Sequence, residues 1–100
     1  MSVQLVHVKV NADKAAELEE AAKEMFAAIN AAGPQGVRYA SCKLADGVTY
    51  VILLALDDDN ENNPLFVVPA FRDFQANLKN WIAGPPAIEH LTPVGSYRLF

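Results

Sequence analysis

Residues 48 to 56 read VTYVILLAL, and no other stretch constrains the fold as much. β-Branched and aromatic residues suit an extended backbone, in which successive side chains point to opposite faces. Val51, Leu53 and Ala55 then lie on one face, with Tyr50, Ile52, Leu54 and Leu56 on the other, so both faces are apolar. A strand of this kind belongs inside a sheet that is covered on both sides. The rest of the chain must therefore supply, or recruit, two covers for one sheet.

Residues 3 to 10, VQLVHVKV, form a second strand with Val6, Val8 and Val10 on one face and Val3, Leu5, His7 and Lys9 on the other. Residues 13 to 32 are rich in Ala, Glu and Leu, and Leu18, Ala22, Met25 and Ile29 recur at helical spacing. Asn11 or Asp13 is the expected N-cap, and Gly33-Pro34 the stop. Residues 37 to 44, VRYASCKL, join the apolar strand through Asp46-Gly47, a pair that favours a tight hairpin. DDDNENNP at 57 to 64 reads as a polar loop, followed by an apolar connector to Pro69. From about Ala70, Phe71, Phe74, Leu78 and Trp81 or Ile82 line one side of a second helix, which Gly84-Pro85-Pro86 ends. The tail from about Pro93 to Phe100 has the content of a last strand, with a short extended piece at 88 to 92 before it.

The order strand, helix, strand, strand, helix, strand predicts an α+β, ferredoxin-like βαββαβ domain spanning residues 1 to 100. It has a four-stranded antiparallel sheet with two helices on one face. The helices cover one face of the apolar strand. The other face is expected to meet a second copy of the chain, since a bare apolar sheet face of this size is a liability in water. A chain closing on Tyr97-Arg98-Leu99-Phe100 suits that homodimer if a neighbouring subunit buries the last side chains.

Charge narrows the partners. A net charge of -4 with only 8 Lys and Arg argues against nucleic acid, whose binding needs clustered cations. Cys42 is a single cysteine, which leaves no internal disulfide and suits a reducing, cytoplasmic setting. No apolar run reaches the ~18 residues of a membrane span, and the start reads as a strand rather than a signal peptide.

The strand LVHVKV running into a helix near Asp13-Lys14, the Asp46-Gly47 hairpin, the Phe-rich second helix and the closing VGSYRLF resemble one family. It is the dimeric α/β-barrel superfamily, in particular its antibiotic-biosynthesis-monooxygenase-like branch, in which two ferredoxin-like subunits place their sheets face to face. The resemblance implies a cavity between helix and sheet, with a tryptophan and an asparagine on the second helix. Trp81 and Asn80 match those types. It also implies oxidation of aromatic compounds without a cofactor in some members and haem degradation in others. The haem branch is disfavoured, because no histidine lies between Ala70 and Ile82, position 6 is Val6 where an asparagine is expected, and LDDDN replaces a Glu-x-Trp pattern.

Each candidate residue has a plainer reading beside it. Trp81 shares a helix face with Phe74 and Leu78, where a large aromatic is usually core rather than a stacking surface for substrate. His7 stands among Val3 and Leu5. In a partly dry dimer barrel an imidazole there serves as a base or hydrogen-bond donor, and otherwise it is a seam residue with a local partner. Glu89 and His90 follow Gly-Pro-Pro in a loop or edge and read as surface residues. Tyr39, Tyr50, Tyr97 and Arg98 could serve a ligand or be ordinary strand residues. The acidic run resembles a calcium loop only until its sixth and twelfth positions, Asn62 and Val68, which should be Gly and Glu. No phosphate loop, His-x-x-x-His pair or nucleophile elbow occurs.

Two functions follow from these residues. One is a homodimer binding an apolar or aromatic small molecule, with cofactor-free monooxygenase chemistry. Here His7 is the base, and Tyr39, Asn80 and Trp81 bind substrate. The other is a non-catalytic binding or assembly module whose helix-sheet core is filled.

Overall fold

The computed structural model describes residues 1–57 and 63–100. Strands β1 (Ser2–Lys9), β2 (Val37–Lys43), β3 (Thr49–Leu56) and β4 (Ala87–Leu91) form one antiparallel sheet in the order β2-β3-β1-β4. Helices α1 (Ala15–Ala32) and α2 (Pro69–Asn77) pack on one face of it. This is the ferredoxin-like α+β architecture expected from the element order, with β3 interior to the sheet. No helix among the described residues is long and apolar enough to cross a membrane. Most of the acidic run, positions 58 to 62, lies outside the described residues.

Local chemistry sets the boundaries. α1 stops where Gly33 turns into the left-handed region at φ 61° and its N–H donates to the Ile29 carbonyl. At its start neither expected cap acts. A 3₁₀ turn (Ala12–Lys14) leads in, and Asn11 instead donates its backbone N–H to the Trp81 carbonyl at 2.9 Å and its Nδ2 to the Ile82 carbonyl at 3.3 Å. Asn11 thus ties the end of β1 to the end of the second helical segment. In the β2–β3 hairpin the Asp46 carboxylate accepts from the Val48 N–H at 3.0 Å, the Thr49 N–H at 2.9 Å and the Thr49 hydroxyl at 2.6 Å. Gly47 supplies the positive φ of 77° that the turn requires.

The second helix is shorter than its apolar periodicity suggests. α2 passes into a 3₁₀ turn (Leu78–Asn80), and Ile82 already bridges to Val10 while the Ala83 N–H donates to the Lys9 carbonyl at 2.7 Å. That early return fixes the last strand. The chain runs back along β1, pairing Ala87 with His7 and Leu91 with Val3. By Leu91 the length of β1 is nearly used up, so residues 93 to 100 have no free edge of β1 to join. The strand expected there is therefore corrected to Ala87–Leu91. Beyond it, Ser96 Oγ accepts from the Phe100 N–H at 2.9 Å and Arg98 sits at φ 63°, both incompatible with an extended run. Val94, Tyr97 and Leu99 are exposed.

Two buried clusters hold the helices to the sheet. Val8, Val10, Leu18, Tyr50 and Trp81 pack at one end. Met25, Leu65, Val68 and Phe71 pack at the other, where a 3₁₀ turn (Pro64–Val67) capped by the Asn63 side chain brings Leu65 to full burial. Each such side chain contributes roughly 1.5–3 kcal/mol by leaving water.

Candidate functional site

In an antiparallel sheet, residues directly opposite one another share a face, so register alone sorts the two sides. On the helix side, one transverse row crosses all four strands: Tyr39 of β2 faces Leu54 of β3, Leu54 faces Gln4 of β1, and Gln4 faces His90 of β4. A neighbouring row runs Ser41, Ile52, Val6, Ile88. These rows form the floor of a cavity of about 650 Å³ between sheet and helices, and α1 and α2 form its roof through Ala22, Met25, Phe26 and Phe74. The helix-sheet interface is thus hollow between its two packed clusters. A space of this size matches small-molecule sites, which are typically concave and mostly apolar with a few placed polar groups.

The β2 side of the cavity is an aromatic wall. Phe26 stacks on Tyr39 with ring centroids 5.2 Å apart, Phe71 meets Tyr39 edge-on at 5.7 Å, and Phe66 meets Phe71 edge-on at 5.3 Å. The Tyr39 hydroxyl has no hydrogen-bond partner among the described residues and is not sealed from solvent. Burial pushes its pKa up to about 12. At neutral pH the hydroxyl is therefore a protonated donor or acceptor for whatever enters. Tyr50, which also lines the cavity, is already engaged: its hydroxyl donates to Glu19 Oε2 at 2.6 Å, and Lys43 Nζ donates to the same oxygen at 3.0 Å. Burial, with the adjacent carboxylate, raises Tyr50 to about 12, while the Tyr50 hydroxyl and then Lys43 lower Glu19. Of the two tyrosines, Tyr39 is the one with an uncommitted hydroxyl.

The expected site residues do not come together in one place. Tyr39 lines the cavity. Trp81 is not in the lining. It sits past the end of α2, is 6% exposed, and packs behind the wall with Val8, Val10, Leu18 and Tyr50, its ring 5.4 Å from that of Phe74. Asn80 is exposed in the 3₁₀ turn and does not reach the lining. His7 pairs with Val51 and Ala87 on the opposite face of the sheet, beside Leu5, Leu53 and Ala55. That face is apolar at its centre, as the two-sided pattern of β3 requires, and Glu89 and Arg38 stand on it as exposed residues. His90 belongs to strand β4, exposed, and lines the cavity. Gln4 carries no signal in the sequence that marks it as a lining residue, and His90 reads there only as a surface residue. Their pairing depends on where β4 begins, which no local pattern encodes. Among the described residues no cluster of three or more His, Cys, Asp or Glu side chains could hold a metal.

No protein-family model matches the chain, and no curated protein matches it in sequence. Solved structures do match. A "Putative antibiotic biosynthesis monooxygenase" from Nitrosomonas europaea is 18% identical with a TM-score of 0.78, over 95% of this chain and 100% of that one. A protein of the same description from Caulobacter crescentus is 26% identical with a TM-score of 0.71, over 94% and 90% of the two chains. A third, from Bacteroides thetaiotaomicron, is 15% identical with a TM-score of 0.78, over 93% and 89%. The likeness spans more than nine-tenths of this chain. In fold, this chain resembles solved structures described as putative antibiotic biosynthesis monooxygenases.

Proposed function

We propose that the protein is a homodimer whose helix-sheet cavity binds a planar apolar or aromatic molecule and oxidises it without a cofactor. The cavity itself carries the reading: about 650 Å³ walled by Phe26, Tyr39, Phe66 and Phe71, with polar groups confined to a few points. A molecule with a doubly benzylic CH₂ yields a stabilised carbanion once a base removes one proton, and that carbanion reacts with O₂ directly. The CH₂ becomes C=O, one oxygen atom stays in the product and the other leaves as water. Such a reaction asks the protein for a dry, shaped pocket, a proton acceptor and hydrogen-bond donors. Tyr39 is a donor in the right place. His7, on the far face, belongs to the surface that meets the second copy. The names of the structural neighbours agree with this chemistry and support it at the level of fold.

The second copy covers the face bearing Leu5, Val51 and Leu53. Leu53→Lys is expected to convert a sedimenting dimer to monomer, and an unchanged dimer would place the interface elsewhere.

For the cavity, equilibrium dialysis of naphthalene against the native protein and Ala22→Phe, which puts a ring into the space, is expected to show binding only to the native chain. Oxygen-electrode uptake with a tricyclic ketone carrying a doubly benzylic CH₂ should exceed its autoxidation. Binding without uptake would leave a binding module, and equal binding by Ala22→Phe would dismiss the cavity.

A further inference from the structure

We propose that His90, with Gln4 beside it, is the specificity-determining residue of the cavity and receives a hydroxyl group carried by the bound molecule. The inference rests on the cavity being a ligand site and names what that site selects. Three observations carry it. His90 and Gln4 are directly opposite in the β1–β4 register, so their Cβ atoms lie about 4.5–5.5 Å apart on the cavity side. Among the described residues the lining contains no Asp, Glu, Lys or Arg, and His90 brings it an imidazole, whose ring nitrogens can donate or accept a hydrogen bond. Neither side chain has a hydrogen-bond partner among the described residues, and His90 is exposed on an edge strand, where it supports no packing.

The row also sets a distance. Tyr39 and His90 end a run of four strands, so their backbones are about 14 Å apart at three strand spacings, with Leu54 and Gln4 between them. An aromatic body seated on Leu54 against Tyr39 places a ring substituent at the His90 end. A ring nitrogen of His90 accepts from the hydroxyl there, and the Gln4 amide donates to its oxygen. An unsubstituted hydrocarbon leaves both groups to water.

The test compares 2-naphthol with naphthalene by equilibrium dialysis, on the native chain, His90→Leu and His90→Gln, with circular dichroism melts as a control. The native chain is expected to prefer the naphthol about tenfold, the worth of one well-made hydrogen bond in a partly dry site. His90→Leu should erase that preference by weakening the naphthol while holding naphthalene at least as well as the native chain does, and His90→Gln, which keeps an acceptor, restores most of the preference. A purely structural role would weaken both probes together and would overturn the proposal, as would a preference that survives in His90→Leu. If the native chain binds naphthalene but shows no preference, this inference alone fails. If it binds neither probe, the cavity reading fails as well.

Discussion

Replacing Trp81 separates packing from recognition, because the structure puts its indole behind the cavity wall and not in it. Trp81 is 6% exposed and meets Val8, Val10, Leu18 and Tyr50, with the Phe74 ring at 5.4 Å. Truncating a buried Trp to Ala typically costs about 3–5 kcal/mol, from lost transfer energy and the void left behind. Against the roughly 5–15 kcal/mol that holds a domain of this size together, that is a large share. At about 4–8 °C per kcal/mol, the midpoint of a thermal melt should fall by more than about 12 °C. Trp81→Phe keeps a ring against Phe74 and should cost only about 1–2 kcal/mol. The assay is a pair: melts followed by circular dichroism, and naphthalene dialysis at a temperature where both proteins are folded. Trp81→Phe is expected to melt lower yet bind within about twofold of native. A tenfold loss of binding with an unchanged melt would refute the reasoning and return the indole to the ligand site.

Other measurements follow from the same contacts. Tyr39 and Tyr50 are both held near pKa 12 by burial, above the ordinary tyrosine value of 10. The stability tied to them is therefore fully present below about pH 10 and lost as pH rises toward 12. Alkaline titration of tyrosinate absorbance should show a late component that Tyr39→Phe and Tyr50→Phe each diminish, and a titration identical in all three proteins would contradict the burial. Asp46 is held below its ordinary value by the Thr49 hydroxyl and then by the Val48 and Thr49 amides. Its contribution is present above about pH 4 and fades as pH falls through the lowered value. Asp46→Ala should accordingly melt lower than native at pH 7, with the gap closing in acid; a gap that held constant with pH would mean that the carboxylate's charge is not what orders the hairpin.

Much of this molecule is legible from one chain because its strongest signals are local. The two-faced apolar run at 48 to 56, the Leu18, Ala22, Met25 spacing, Gly33 and Asp46-Gly47 each act over a few residues, and together they determine βαββαβ and the need for a cover on each side of the sheet. What the sequence does not carry is which residues meet across it. The last strand is set at Ala87–Leu91 because Ile82 and Ala83 bond to the end of β1 and the return along β1 is then spent, a constraint of hydrogen-bond register that the β-rich tail cannot override. That same register, and no property of the segment AIEHL itself, turns His90 toward the cavity and His7 away from it. Trp81 follows the same logic. Its helical spacing is real, but the helix ends before it, and a side chain one turn past a terminus packs where the neighbouring β1 and α1 leave room. Local propensity made the elements; backbone pairing between strands distant in sequence decided which side chains share a site.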